Sequence, residues 1–338
     1  MNSAGKPFDH TATIISFPRQ TRHVAAIGAD LGLHRLCAAL WLLNGAVFVC
    51  ELILFRVTGL QLLWSTGLPV AYAVAAIGAF WGYFVWQPGS PREWIIPEAA
   101  VVLALLLANA LVGPPMQYPA LALGRPLIDP WLAAGDAALG ISVPAIVQWT
   151  AQYPVLVTIL RWSYFSLLPQ FVAPILLLPI FNDRAALWEY AWHFLVCSTL
   201  TVICLAAFPA ACTFTYQHFT PLLQESRFIE HFTRARAGGF TTIDFDQLEG
   251  LVSCPSFHVA GAWMVTWAFR RTWLLVPLAI LNTALAASTV MLGAHYAVDL
   301  LATAAMIGVS YLLYRRVGRR LLPARPESPR ACDSPVFS

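Results

Sequence analysis

Lysine is nearly absent from this chain. Lys6 is the only one, against nineteen arginines in 338 residues, and charged residues of every kind make up 11%. A soluble domain carries roughly 25% charged residues and about 45–50% apolar ones. Here 59% of residues are hydrophobic, so the polar groups cannot cover a water-soluble globule and a polytopic membrane protein is implied. Paired cysteines are missing too. None of the seven forms a CxxC pair, which leaves neither a zinc pattern nor a disulfide framework. Cys37, Cys50, Cys197 and Cys204 fall within apolar runs, where a thiol behaves as a small hydrophobe. No repeat of 20–50 residues is evident. Residues 1–35 hold no apolar core of signal-peptide type, so the first apolar run, near Leu36, reads as a retained span. The net charge of +3 decides little; its distribution decides more.

What the sequence has in abundance is long apolar runs. A helix needs about 20 such residues to cross the hydrocarbon core. Candidate spans lie near 36–55, 62–86, 95–112, 153–181, 187–208, 251–269, 273–292 and 296–314, eight in all. Several contain Pro or Gly, which membrane helices tolerate. With the N-terminus in the cytoplasm, fourteen of the twenty basic residues fall on inner segments and six on outer ones. That bias sets the expected orientation, with both termini inside. "FRRTW" and "YRRVGRR" are the strongest inner marks.

Two long segments are then expected outside, 113–152 and 209–250. The first contains "DPWLAAGDAALG", read as a short interfacial helix that Asp129 and Asp136 cap or solvate. The second, "FTRARAGGFTTIDFDQLEG", mixes Arg, Gly and acids as a loop covering a site does. Cys212 and Cys254 face the same side in this topology, and a bridge between them is left open. Glu51 reads as an outer-surface charge near Arg56, Arg161 as snorkelling outward, and His193 as structural with no recognisable partner. The tail, 316–338, rich in Pro, Ser and Arg, reads as disordered.

The chemistry concentrates in two short stretches. "SCPSFHVAGAW" places His258 at the outer start of one span. The chain then crosses inward, turns at Arg270–Arg271 and crosses back, so that "GAHYAVDLLA" brings His295 to the same outer surface. His295 and Asp299 are four apart and share a helix face. A carboxylate there fixes the imidazole tautomer and raises the basicity of the other nitrogen, which suits a nucleophile or base. An ionisable residue within a span is a functional hypothesis by default. Both histidines sit near helix N-termini, where free N–H groups favour anions. Pro255 suits a first helical turn, and Ser256 can cap that helix or donate to a phosphate oxygen. The pattern points to attack on a phosphate ester by one histidine, with the other protonating the leaving alcohol.

"CPSFH" followed by "STVMLGAHYAVD" resembles the second and third motifs of the type-2 phosphatidate phosphatase superfamily, PSGH and SRxxxxxHxxxD. The branch it most resembles contains inositol phosphorylceramide synthase and its bacterial relatives. Phe257 replaces the Gly of PSGH, and Thr289 stands where many members have Arg. The family's first motif, KxxxxxxRP, is absent in literal form. Arg227, Arg234 and Arg236 are the loop cations available, with Arg236 preferred and Arg234 next as phosphate ligands beside Ser256.

The resemblance implies His295 as nucleophile through a phosphohistidine, Asp299 as its orienter and His258 as general acid. It implies no metal and no organic cofactor. The expected fold is all-α, about eight transmembrane helices: a cytoplasmic segment 1–35, two added spans in 36–90, a six-helix core in 91–315 and the tail. The expected function is a lipid phosphotransferase that moves a phosphate-containing head group between lipids. The close alternative is a lipid phosphate phosphatase, and the remoter one a transporter or scaffold. The partners expected are a phosphate-bearing lipid and the bilayer, with no nucleic acid. The expected place is a bacterial inner membrane, with the site on its extracytoplasmic face.

Overall fold

The computed structural model describes residues 19–63, 70–71, 73–78, 95–223 and 226–321. The candidate span at 62–86 lies mostly outside them, as does the tail beyond Leu321.

The chain is helical almost throughout. Helix α1 (Arg19–Thr58) is followed by strand β1 (Gln61–Leu63) and by helix α2 (Ile95–Ala122). Two short helices, α3 (Asp129–Ala138) and α4 (Val143–Ala151), meet at a 75° bend. Then come α5 (Pro154–Phe165) and α6 (Arg184–Ala207). Beyond them lie α7 (Ser226–Arg236), β2 (Thr242–Asp244), α8 (Phe257–Ala268), α9 (Leu275–Met291) and α10 (Asp299–Leu313). Among the described residues four helices are long and apolar enough to cross a membrane, or five if the bent α3–α4 pair counts as one span. The protein is therefore an all-α polytopic membrane protein. Exposed Leu42, Val57, Ile159 and Leu301 belong to the apolar surface that a bilayer covers.

Individual elements differ from the sequence reading, and proline accounts for most of the differences. The run at 153–181 is not one helix but three pieces, α5, Leu167–Gln170 and Ala173–Leu177, with Pro154, Pro169 and Pro174 interrupting the backbone ladder. Conversely α2 continues through Pro114, Pro115 and Pro119 to Ala122, into a stretch expected to be an outer loop. The run at 251–269 becomes helical only at Phe257, so α8 has 12 residues and reaches about 18 Å at 1.5 Å per residue. Ser256 caps it, so Pro255 precedes the cap rather than filling the first turn. Arg19 already starts a helix, inside the cytoplasmic segment expected to precede the first span. One pairing was not anticipated: β1 and β2 run parallel, Leu62 opposite Ile243.

The core is an interhelical one. α2 packs against both α1 and α6, and α8 against α6 and α9. Its largest cluster joins Leu36, Leu40, Leu105, Trp188, Leu195 and Phe269. On α1 the packed stripe runs Val47, Glu51, Phe55, every fourth residue. Glu51 is thus 1% exposed rather than at the surface, and its carboxylate oxygens have no partner among the described residues. Asn44 on the same helix donates to the Leu105 carbonyl and accepts from Asn109, at 3.1 and 3.2 Å.

One end of the bundle is tied by charge. Arg184 and the Trp188 indole both meet Glu98, the latter at 2.7 Å. Arg271 meets Asp183 at 3.1 Å. Glu189 accepts from Arg270 and from the Trp267 indole, at 2.5 and 2.8 Å. These contacts join the starts of α2 and α6 to the end of α8. His193, assigned no partner above, has one here: its Nδ1 lies 2.9 Å from Ser310 Oγ. Among the described residues no cysteine forms a disulfide, and Cys212 and Cys254 are not bridged.

Close approach is required where α8 crosses the 167–177 pieces. A Cβ on Gly261 would stand 2.8 Å from two ring carbons of Phe171. Gly261→Ala is therefore expected to cost about 1–3 kcal/mol by overpacking. A lowered thermal midpoint in detergent checks it; an unchanged midpoint would show that the ring moves freely aside.

Candidate active site

His295 follows a sharp exit from α9. Gly293 adopts φ +90° there, and a Cβ would come within 2.9 Å of Phe219, so only glycine fits both the turn and the contact. The N–H groups of Ala294 and His295 then both return to the Thr289 carbonyl, at 3.0 and 2.9 Å. Thr289 itself is buried, and its hydroxyl donates back to Ala286 at 2.8 Å. The neighbouring Ser288 hydroxyl donates to Leu285. Neither side chain is turned to a ligand.

α10 starts at Asp299, four residues on. Asp299 is fully buried, and its Oδ2 lies 3.4 Å from His295 Nδ1. It also accepts the Tyr296 N–H at 3.1 Å. The histidine contact falls outside hydrogen-bond geometry, since Nδ1 is otherwise unpartnered. Such contacts commonly tighten only when substrate binds. A carboxylate only accepts, so the imidazole proton belongs on Nδ1 and the Nε2 lone pair is directed away from Asp299. Nε2 lies 3.3 Å from Ser256 Oγ.

Ser256 joins the two motifs. Its Oγ caps α8 by accepting the Val259 N–H at 3.4 Å, which leaves the hydroxyl proton for His295 Nε2. Its own N–H donates to Thr303 Oγ1 at 2.9 Å, and Thr303 donates to the Asp299 carbonyl at 2.7 Å. The start of α8 is thereby fastened to the first turn of α10. His258, in the first turn of α8, stacks on Tyr164 with ring centroids 4.3 Å apart and planes 19° apart.

Both histidines line one cavity of about 340 Å³. Its walls are mainly apolar, with Phe171, Phe194, Phe214 and Phe257 among them. Asn109, Gln117 and Ser198 add polar points. Among the described residues no arginine lines it. Arg234 stacks on Phe240 and pairs with Glu230 elsewhere. Arg227 pairs with Glu249 at 2.9 Å. Arg161 donates to the Leu222 carbonyl. Arg236, at the end of α7, is half-buried; its Nη1 is enclosed without a hydrogen-bond partner among the described residues. Burial lowers its pKa, and Asp129 opposes that shift. The structure thus gathers Ser256, His258, His295 and Asp299 at one place and leaves Arg234 and Arg236 off the cavity wall. The described residues include no cluster of metal-ligating side chains.

The outer helix α3 holds this site from behind. Asp129 and Asp136, seven apart, share a face of α3, and both are buried. Asp129 accepts the Ala211 N–H at 2.8 Å and the Tyr296 hydroxyl at 2.9 Å. Asp136 accepts the N–H groups of Ala297 and Val298, at 3.1 and 2.8 Å. They cap the turn between His295 and Asp299, not the helix that carries them. Their spacing was visible in the sequence; the partner segment, some 160 residues away, was not. Thr303, four residues after Asp299, was missed for the same reason, though its spacing places it on the same face.

Asp136→Ala leaves two buried N–H groups unpaired, at about 1–3 kcal/mol for such a loss. Amide exchange at Ala297 and Val298 is expected to speed up by at least about tenfold. Exchange unchanged at both would show that the turn holds itself.

Comparison with known proteins bears on this geometry. No curated protein and no solved structure matches the chain. The profile of the PAP2 superfamily matches residues 130–313, a stretch that runs from the second residue of α3 to the end of α10 and contains Asp136, Ser256, His258, His295, Asp299 and Thr303. The chain accordingly belongs to the PAP2 superfamily and is a phosphoesterase-type membrane enzyme, a transferase or a hydrolase.

Proposed function

We propose that the protein is a lipid phosphotransferase that moves a phosphate-containing head group between lipids through a phosphohistidine. The observation that carries this reading is the single cavity that two histidines line, with a buried carboxylate behind one of them. His295 Nε2 would attack phosphorus while its Nδ1–H turns to Asp299. The bond from phosphorus to the departing lipid oxygen breaks, and His258 supplies the proton to that oxygen. In the second step His258 takes the proton of the acceptor hydroxyl, the hydroxyl oxygen attacks phosphorus, and the bond to Nε2 breaks. Ser256 and the first-turn N–H groups of α8 would hold the non-bridging oxygens. Arg236 would join them if α7 moved inward, which gives its enclosed Nη1 a partner; Arg234 is the second candidate.

The aromatic wall supports transfer. It offers apolar surface to lipid and excludes water, the competing acceptor. Phe257, where the family motif has Gly, is part of that wall. Phosphatase action by the same two histidines, with water as acceptor, is the alternative reading. The excess of arginine on inner loops supports a site on the extracytoplasmic face of a bacterial inner membrane, with both termini in the cytoplasm. The proposed division remains a six-helix core in 91–315 preceded by added spans in 36–90.

His295→Ala is expected to lower turnover of a lipid phosphodiester in proteoliposomes by about 10³-fold or more, and to abolish acid-labile labelling of the protein by a phosphorus-labelled donor. Full retained turnover rules out the nucleophile. In the unaltered enzyme, a new phospholipid without inorganic phosphate is the expected product pattern. Free phosphate without a new lipid would replace transfer by hydrolysis.

A further inference from the structure

A second cavity, of about 370 Å³, lies on the other side of α7 from the histidines. Arg227, Glu230, His231 and Arg234 of α7 line it, together with Tyr118 at the end of α2 and Phe240, Asp244 and Gln247 of the following loop. The same elements wall both cavities: Phe228 and Gln117 face the histidines, while their neighbours Arg227 and Tyr118 face this second space.

Its electrostatics are balanced. Arg227 is paired with Glu249 at 2.9 Å, and Arg234 with Glu230 at 3.4 Å. Asp244 adds a carboxylate, one oxygen of which accepts the Asp246 N–H at 3.1 Å. No net positive charge is left over to draw in a phosphate or a carboxylate. His231 does not supply one, since burial lowers its pKa.

The hydrogen-bonding capacity is nevertheless large and of both senses. The Glu249 N–H donates to the Tyr118 oxygen at 3.0 Å, so the Tyr118 hydroxyl proton is free to go to His231 Nδ1 at 2.6 Å. The His231 proton is then on Nε2, a donor with no hydrogen bond among the described residues. Beside it stand acceptors on Asp244 and Glu230 and the two-sided amide of Gln247. Phe240 contributes an aromatic ring, with Arg234 4.3 Å from its centroid. Mixed donors and acceptors, a ring for C–H surface and no positive charge in excess are the complement of a molecule whose hydroxyls both donate and accept.

We propose that this cavity binds an uncharged polyhydroxylated compound, a sugar or polyol, either free or as the head group of a glycolipid. Because the ligand would grip α7 and the 240–247 loop, it would also brace the wall of the histidine cavity. The proposal stands apart from the phosphotransfer reading, since it concerns binding and neither Phe240 nor Asp244, whose variants test the site, is placed in the chemistry.

The test is equilibrium dialysis of the full chain in nanodiscs against labelled hexoses and pentitols, the corresponding sugar phosphates, and an alkyl glucoside. At least one neutral compound is expected to bind saturably and more tightly than its phosphate. Phe240→Ala should weaken that binding by about tenfold or more, and the milder Asp244→Asn should weaken it in a protein whose thermal midpoint is unchanged. Binding should persist in His295→Ala. Free hexose and alkyl glucoside binding alike indicate a soluble ligand; the glucoside alone indicates a lipid head group, and both support the site. Tighter binding of the phosphates would overturn the proposal, as would neutral binding lost in His295→Ala but kept in Asp244→Asn. The absence of neutral binding at millimolar concentration would overturn it equally.

Discussion

The placement of His295 depends on hydrogen bonds supplied to its turn from outside the two helices that flank it. The turn from Ala294 to Val298 carries five N–H groups, of which α9 and α10 satisfy only three, because each helix orphans the groups at its ends. Thr289 takes two of them and Asp299 a third. Asp136 takes the two that remain at Ala297 and Val298. An unpaired donor is costly in an apolar surround, so Asp136 of α3 is bound to this turn by necessity, while Asp129 holds the Tyr296 hydroxyl beside it. α3 is otherwise an unremarkable amphipathic helix with Trp131 exposed. Its role in the structure is that of a splint on the proposed catalytic loop.

Those constraints explain which parts of the protein were legible beforehand. Span length and arginine bias are local sums over many residues, so the all-helical membrane class could be read directly. His258, His295 and Asp299 could be read because two helical crossings separate the histidines and four residues separate His295 from Asp299. Relations between distant segments left no such mark. Nothing at Asp136 names Val298, and nothing at Ser256 names Thr303. The setting of the loop arginines was hidden for a similar reason: Arg227 is matched by Glu249, which only the folded loop brings within reach, and Arg234 by Glu230 one turn away on α7. Proline was ambiguous in a different way. It broke the run at 153–181 yet was absorbed within α2, and only the packing around each site decides which occurs.

The two ends of the bundle use polar groups in opposite ways. At the end of α8 the charges close on one another, Glu189 on Arg270 and Asp183 on Arg271. The Glu189–Arg270 pair is the more buried of the two, and such a pair contributes little net stability but is severe against misalignment, because a single unpaired member is costly. At the start of α8 the polar groups are instead left partly unsatisfied. Asp299 Oδ1 and His295 Nδ1 have no hydrogen-bond partner, and Arg236 keeps a bare Nη1. Incomplete satisfaction is tolerable where a ligand's own oxygens and protons can complete it.

The short parallel ladder between β1 and β2 carries a last consequence. Gln61, just past α1, hydrogen-bonds to Thr241 at 2.9 Å, and Leu62 lies opposite Ile243. The N-terminal helix, which precedes the stretch matched to the superfamily, is thereby sewn to the loop that roofs the region beside the histidines. A segment outside the matched stretch is thus a hem on the surroundings of the proposed site, and without that ladder the loop around Ile243 would need another tether to keep from drifting open.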